Sequence, residues 1–149
     1  MVLSLGDASS LEDLYQSKIL EFARLARNIE LLKDPNVSFT SRNPVCGDEV
    51  TIDLVINKDN IISHYGHKVR GCALCEASAG LVVNYFINKN LPIKNFMEYF
   101  DNWLLNKNLE FPKQLPEELK IFLPIQDVKS RHVCIKMPFE AFFESINKK

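Results

Sequence analysis

Asn43-Pro44-Val45-Cys46-Gly47-Asp48 is the stretch around which the rest of the chain can be arranged. Proline fixes one backbone angle and glycine permits unusual ones, so the stretch predicts a tight turn between two strands. Such a turn holds the Cys46 thiol and the Asp48 carboxylate on one side of a loop, which suits a metal ion. Asn-Pro and Gly-Asp are also ordinary turn sequences, and Asp48 could equally bond its own backbone.

The residues on either side of this turn have the pattern of β-strands. A short β-prone run, residues 37–42, leads into it. After it, Ile52, Leu54 and Ile56 fall on every second position, which is the period of a strand with one buried face. A turn at residues 58–60 then reverses the chain into a third run, residues 61–69. We therefore expect a small antiparallel sheet of about three strands.

Helical patterns lie before and after the strands. Ser10 with an acid three residues later predicts a helix start, and apolar residues then recur at helical spacing as far as Ile29. The same spacing predicts four further helical segments: one that opens at Cys72, one over residues 93–105 after Pro92, a start at residues 115–119, and a last one over residues 128–146 that Pro138 interrupts.

Length and charge bound the class of protein. A chain of 149 residues is long enough for one domain with a core, so residues 1–149 predict a single α+β domain with helices packed on the sheet. A net charge of −1 offers no basic field for nucleic acid or an anionic membrane, so neither is an expected partner.

Residues 1–13 lack the charges of a signal peptide, and no apolar run approaches the ~20 residues of a membrane span. We expect a cytoplasmic protein, whose four cysteines are ligands, sulfur carriers or core residues rather than disulfides.

Cys72 and Cys75 form a close pair at a predicted helix start. Cys72 follows Gly71 there, where unpaired N–H groups and the helix dipole favour a thiolate over a thiol, although a small buried residue is its plain alternative. The pair Cys72-Ala73-Leu74-Cys75 could be a redox dithiol or half of a zinc site. The chain has no second close pair, and the strands look antiparallel, so we interpret Cys75 as a packing residue.

These motifs together resemble the IscU/NifU-like family of iron-sulfur cluster assembly scaffolds. The similarity rests on the turn at residues 43–48, on Gly71-Cys72 followed by Ala77-Ser78, and on a late cysteine, and it extends over about residues 14–143. Arg131-His132-Val133-Cys134 comes after a long gap and resembles the SufU-type branch, whose third cysteine follows an insertion. Members of that branch often look like zinc-dependent sulfur acceptors.

The resemblance implies a set of ligands and roles. Cys46, Cys72 and Cys134 would be metal or cluster ligands, Asp48 an oxygen ligand, and Cys134 the sulfur acceptor. Arg131 beside Cys134 could attract an anionic persulfide, and we expect Cys134 to be less enclosed than Cys72 because it lies in a terminal segment.

Two positions depart from the family pattern. Cys75 stands where the family usually has serine or another small residue, so an additional thiol is expected near the site. His132 is separated from Cys134 by Val133, so on a regular helix it should point away from the metal, towards the surface or a supporting contact, and contact with the metal is the lesser alternative.

The predicted function is iron-sulfur cluster assembly. The chain would accept sulfur from a cysteine desulfurase, build a cluster with iron, and pass it to acceptor or carrier proteins, acting more as a scaffold than as an enzyme. One alternative is a sulfurtransferase in which zinc holds the same residues and Cys134 is released to carry sulfur. Another is a thiol oxidoreductase that uses Cys72 and Cys75. Zinc and cluster iron share these ligands, so the sequence leaves the metal open.

Overall fold

The computed structural model describes residues 8–45, 47–89 and 94–147, with side chains from residue 11 onward. The elements follow one another as α1 (Ala8–Arg27), β1 (Val37–Arg42), β2 (Glu49–Ile56), β3 (Ile62–Arg70), α2 (Ala73–Val82) with a π-helical continuation (Val83–Asn88), α3 (Phe96–Leu105), two 3₁₀ segments (Glu117–Asp127 and Lys129–Arg131) and α4 (His132–Asn147). Among these helices, none is both long and apolar enough to cross a membrane.

The three strands form one antiparallel sheet in the order β1-β2-β3. In its middle, Ile52 of β2 lies opposite Phe39 of β1 and His67 of β3. Ile52 and its β2 neighbours two residues away, Val50 and Leu54, are fully buried because the helices cover this face of the sheet. The predicted α+β fold, a three-stranded antiparallel sheet with helices packed on it, is confirmed.

Close contacts fix α1 against α2 and against the sheet. Gly80 lies in α2 directly against the backbone of Phe22, where a Cβ would overlap the Phe22 carbonyl oxygen. Arg27 at the end of α1 donates two hydrogen bonds, of 2.9 and 2.8 Å, to the Glu76 carboxylate in the first turn of α2. His67 Nε2 lies 2.8 Å from the carbonyl oxygen of Ala26 and so ties the last turn of α1 to β3.

Aromatic rings hold α4 in place. Phe142 stacks on Phe86, with ring centroids 5.2 Å apart and planes 8° from parallel. Phe139 packs against Phe96 at 5.2 Å and against Phe100 at 5.4 Å. Rings of this size bury much apolar area, so these contacts set the position of α4 over the sheet.

The prediction that Pro138 interrupts the last helix is wrong. α4 runs from His132 to Asn147 with Pro138 inside it. Proline lacks an N–H and crowds the carbonyl group four residues earlier, which belongs to Cys134 in the first turn of α4. The proline therefore removes one hydrogen bond near the start of α4. The aromatic packing of the later turns keeps the helix continuous.

Other helix boundaries differ in detail. The predicted start of the first helix at Ser10 is too late, because α1 already includes Ala8. Pro92 and Ile93, at the predicted start of the third helix, lie outside the described residues, and α3 begins at Phe96. The predicted helix start at residues 115–119 is confirmed, as a 3₁₀ helix that begins at Glu117.

We expect Gly80→Ala to destabilise the protein by about 2 kcal/mol, because the added methyl group must push α1 away from α2. This outweighs the gain of roughly 1 kcal/mol in helix propensity that alanine brings. Urea unfolding measures the change, and Asn102→Ala, at an exposed position of α3, is the control that receives the propensity gain alone. A Gly80→Ala variant as stable as the parent would show that α1 and α2 do not pack this closely.

Candidate metal and sulfur site

The pairing of β2 with β3 brings Asp48 next to Gly71. Glu49, the first residue of β2, lies opposite Arg70, the last residue of β3, so the residues just beyond them meet at the same end of the sheet. A Cβ added to Gly71 would lie 3.0 Å from Asp48 Cγ, so the missing side chain leaves room for the Asp48 carboxylate. Cys72 follows immediately as the residue that precedes the first turn of α2.

The loop between β1 and β2 is the tight turn that the sequence predicts. The Asn43 N–H donates to the Asp48 carbonyl oxygen at 2.8 Å, and the Gly47 N–H donates to the Asn43 carbonyl oxygen at 2.8 Å. Gly47 has a φ of +79°, a left-handed conformation that glycine adopts at little cost. Cys46 lies outside the described residues, so only the loop on either side of it is described.

Three possible ligand atoms converge at this end of the sheet. The Asp48 carboxylate and the sulfur atoms of Cys72 and Cys134 all lie within 4.8 Å of one another. Asp48 and Cys134 are buried and Cys72 is half-buried. Asp48 Oδ2 is buried with no hydrogen-bond partner among the described residues. Ligands around a tetrahedral zinc are roughly 3.3–3.8 Å apart, so a small contraction of this group would accommodate such an ion.

The chemistry of this group depends on its charges. Burial, a hydrogen bond with Asp48 and the nearby charge of Cys72 raise the pKa of Cys134 to about 12. Without a cation in the group, Cys134 is therefore a neutral thiol at physiological pH. The pKa of Arg131 is also raised, because its guanidinium hydrogen-bonds to Cys134 and lies near the negative charges of Cys72, Cys134 and Asp48.

The expectation that Cys134 is less enclosed than Cys72 is wrong. Cys134 is only 2% exposed and belongs to the hydrophobic core, whereas Cys72 is half-buried. Cys134 lies in the first turn of α4, a helix that packs against both α2 and the sheet, and this packing encloses the thiol. The position of a residue near the chain end does not reveal such packing.

His132 and Cys75 lie outside the group of three. His132 is buried, and its Nε2 lies 2.9 Å from the Ile125 carbonyl oxygen, so this nitrogen contacts the preceding 3₁₀ segment. Of the two positions expected for His132, the surface position is therefore wrong. Cys75 is fully buried in the core. A Cβ at Gly71 would lie 3.1 Å from Cys75 Cβ and 3.2 Å from Asp48 Oδ1, so Cys75 borders the same small space as the Asp48 carboxylate.

Sequence reasoning missed the part that Gly71 plays in this site. It treated Gly71 as the end of a strand, whereas the structure shows that a side chain there would meet both Asp48 and Cys75. A glycine directly before a cysteine at a helix start was the only available signal, and it is equally consistent with an ordinary strand end.

Family membership follows from comparison with known proteins. The model of the NifU-like N terminal domain family matches residues 14–101. The chain belongs to this family. The IscU/NifU-like resemblance drawn from the sequence is thereby confirmed.

Two curated relatives are similar over different lengths. The iron-sulfur cluster assembly scaffold protein IscU of Thermotoga maritima is 23% identical over 136 residues, which are 91% of this chain and 94% of that protein. The protein of the same name from Buchnera aphidicola is 32% identical over 80 residues, which are 52% of this chain and 64% of that protein.

Solved structures agree with the fold. The N-terminal part of a NifU-like protein from Brucella abortus superposes with a TM-score of 0.73 at 28% identity, over 92% of this chain and 94% of that one. A Fervidobacterium islandicum protein assigned to iron-sulfur cluster assembly in the SUF system superposes with a TM-score of 0.69 at 20% identity, over 87% and 93% of the two chains. At that identity the second likeness shows the fold alone.

We expect the metal-free protein to lose stability as the pH rises from 9 towards 12. The folded pKa of Cys134 is about 12 and its ordinary value is 9.0, so the unfolded thiol ionises first and deprotonation favours unfolding. Thermal melts across this pH range, on the parent and on Cys134→Ser, test the expectation. The pKa values of Tyr65 and Tyr85 are also raised by burial and contribute equally in both proteins, so the difference isolates Cys134. Parallel pH profiles would contradict it.

Proposed function

We propose that this protein is an iron-sulfur cluster assembly scaffold that receives sulfur from a cysteine desulfurase and passes the finished cluster to acceptor proteins. The observation that supports this most is the convergence of two thiols with a carboxylate whose Oδ2 has no other partner among the described residues. Thiolates are the usual ligands of iron-sulfur clusters. Membership of a family that includes curated cluster scaffolds supports the same conclusion.

Cys46 completes the proposed set of ligands with Asp48, Cys72 and Cys134. Three sulfur atoms and one oxygen match the four ligands of a tetrahedral zinc and the four protein ligands that hold an iron-sulfur cluster. The oxygen is the harder ligand and makes the weaker bond to a soft site, so it exchanges most easily with an incoming group. A scaffold must release its cargo, and Asp48 is the ligand suited to that step.

Cys134 is the proposed sulfur acceptor. Its sulfur attacks the outer sulfur of the donor's persulfide, so that the donor leaves as a thiol and Cys134 becomes a persulfide. A persulfide is more acidic than a thiol, and Arg131, which hydrogen-bonds to Cys134, stabilises the resulting anion. The Arg131 contact supports this role despite the burial of Cys134.

The surroundings of the site suit a protein partner. Val45, which precedes Cys46, is 94% exposed, and Val133, which precedes Cys134, is 43% exposed. Apolar side chains exposed beside reactive residues are typical of the centre of a protein interface. We propose that the desulfurase docks over these two residues.

A zinc-dependent sulfurtransferase is the second candidate, because the same donors fit zinc and a cation offsets the charge that ionised Cys134 would add to the group. In it Cys134 leaves the metal to carry sulfur. Metal and acid-labile sulfide analysis of anaerobically purified protein separates the two. Iron with matching sulfide supports the scaffold, zinc without sulfide supports the sulfurtransferase, and protein that binds neither metal contradicts both.

The sulfur and oxygen ligands should respond differently to substitution. Cys72→Ser, Cys134→Ser and Cys46→Ser should each lose most of the bound metal or cluster, because thiolates make the stronger bonds. Asp48→Ala should retain much of it, since water can replace a carboxylate, but should transfer it at an altered rate. Metal content and transfer to an acceptor, measured side by side, test this. Asp53→Ala is the control, since Asp53 is a buried carboxylate that bonds Ser38 and Leu32 instead. An Asp48→Ala variant that binds and transfers like the parent would leave Asp48 as a turn residue only.

After incubation with a cysteine desulfurase and cysteine, we expect the persulfide on Cys134. Tryptic peptides separate the candidates, because Cys134 falls in residues 132–136 whereas Cys72 and Cys75 share residues 71–89. Arg131→Gln, in which the Cys134 peptide becomes residues 130–136 because a tryptic site is lost, should lower the yield of Cys134 persulfide by weakening the stabilisation of its anion. Lys129→Gln, which changes an exposed charge two residues away, is the matched control. Persulfide found on Cys72 or Cys75 alone would refute the assignment.

A further inference from the structure

Cys75 is the thiol that the proposed scaffold leaves without a role. It is fully buried, and it lies outside the group formed by Asp48, Cys72 and Cys134. Delivered sulfur arrives in the persulfide, whose outer sulfur must gain two electrons before it can leave as sulfide. The pair formed by Cys72 and Cys75 can supply two electrons by forming a disulfide.

The start of α2 places the two thiols for this reaction. Cys72 precedes α2 with extended backbone angles (φ −73°, ψ 172°), and Cys75 is the third residue of the helix. A side chain in the position of Cys72 normally reaches back over the third helical residue, which is the basis of helix capping. Cys72 makes no such capping hydrogen bond, so its sulfur is not tied to a backbone amide.

A disulfide between Cys72 and Cys75 requires a contraction at the start of α2. Residues three apart on a helix have Cβ atoms roughly 5–6 Å apart, and a disulfide requires about 3.5–4.5 Å. The first turn of a helix has no intrahelical acceptors for its N–H groups, so it can contract at modest cost. Both thiols are reduced in the structure, and the Cys72 sulfur also lies within 4.8 Å of the Cys134 sulfur. Cys72 thus lies close to the proposed sulfur acceptor and three residues before Cys75 at the start of α2.

We propose that Cys72 and Cys75 form a dithiol that reduces the persulfide on Cys134 and releases sulfide within the site. This inference rests on the proposed role of Cys134 as sulfur acceptor. It assigns to the pair a reductive step that precedes cluster assembly.

The reaction proceeds in two exchanges. The Cys72 sulfur attacks the inner sulfur of the Cys134 persulfide, the sulfur–sulfur bond of the persulfide breaks, and hydrogen sulfide leaves with the proton of the Cys72 thiol. The Cys75 sulfur then attacks Cys72 in the resulting Cys72–Cys134 disulfide, and the released Cys134 sulfur takes the proton of Cys75. The sum converts one persulfide and two thiols into one disulfide, one thiol and one hydrogen sulfide. A dithiol reductant of the cell would restore Cys72 and Cys75 for the next cycle.

A single-turnover experiment tests the proposal on the full chain. The protein is loaded by a cysteine desulfurase with less than one equivalent of cysteine, and sulfide is measured in the absence of added reductant. Thiols are then blocked and tryptic peptides are analysed by mass spectrometry. We expect sulfide to appear in step with a form of peptide 71–89 that is lighter by two hydrogens, which is the mass of a Cys72–Cys75 disulfide.

Cys75→Ser and Cys75→Ala are the informative variants. Both should load persulfide on Cys134 as the parent does, and both should accumulate peptide 71–89 linked to peptide 132–136, because the mixed disulfide can no longer be resolved. Thermal melts of both variants establish that they are folded. The Cys72–Cys75 disulfide in the parent tests the proposal independently of these variants.

The outcomes separate this inference from the proposed function. Persulfide on Cys134 of the parent, with no light form of peptide 71–89, would overturn the inference and leave the scaffold intact. Release of sulfide without any accumulated mixed disulfide in folded Cys75 variants would do the same. Absence of sulfur on Cys134 from the parent and from both Cys75 variants, as persulfide or as the mixed disulfide, with no light form of peptide 71–89, would overturn the acceptor role and this inference together.

Discussion

The pairing of Glu49 with Arg70 is the constraint on which the site depends. Because strand side chains alternate between faces, a slip of one residue between β2 and β3 would turn Val50 and its buried neighbours towards the opposite face. The same slip would separate Asp48 from Gly71. The hydrophobic core therefore fixes the register, and the register places the carboxylate beside the cysteine that precedes α2. The ligand atoms need no mutual attraction to remain together.

The hydrophobic core must hold Asp48, Cys72 and Cys134 together, because their side chains repel one another when ionised. Burial of the thiol, together with the neighbouring Asp48 carboxylate and Cys72 sulfur, raises the pKa of Cys134 to about 12, so the metal-free group keeps a proton. Arg131 lies at the fully exposed rim, where solvent screens much of its charge. A cation within the group neutralises the ligands directly, and binding then displaces the proton. We therefore expect the affinity for metal to weaken as the pH falls.

Local sequence patterns predicted the helices and strands. They did not predict the features that depend on tertiary packing. The alternation of Ile52, Leu54 and Ile56 identified β2 because a half-buried strand has a strict period of two. Turn residues and cysteine spacing indicated Asp48 and Cys72 for the same reason: their backbone geometry is encoded nearby. The enclosure of Cys134 was missed because it depends on contacts far away in the sequence, such as the stacking of α4 on the π-helical turn.

The wrong prediction about Pro138 also bears on the chemistry of Cys134. A proline within a helix removes the donor for the carbonyl group four residues earlier, and here that carbonyl belongs to Cys134. The thiol of Cys134, the proposed sulfur acceptor, therefore lies at a point of α4 where the backbone has one hydrogen bond fewer than an uninterrupted helix. The rings of Phe139 and Phe142 hold the following turns of α4 in the core. Under the proposed function Cys134 exchanges protons, sulfur and metal, and its carbonyl group is the one in α4 that loses its helical donor to Pro138.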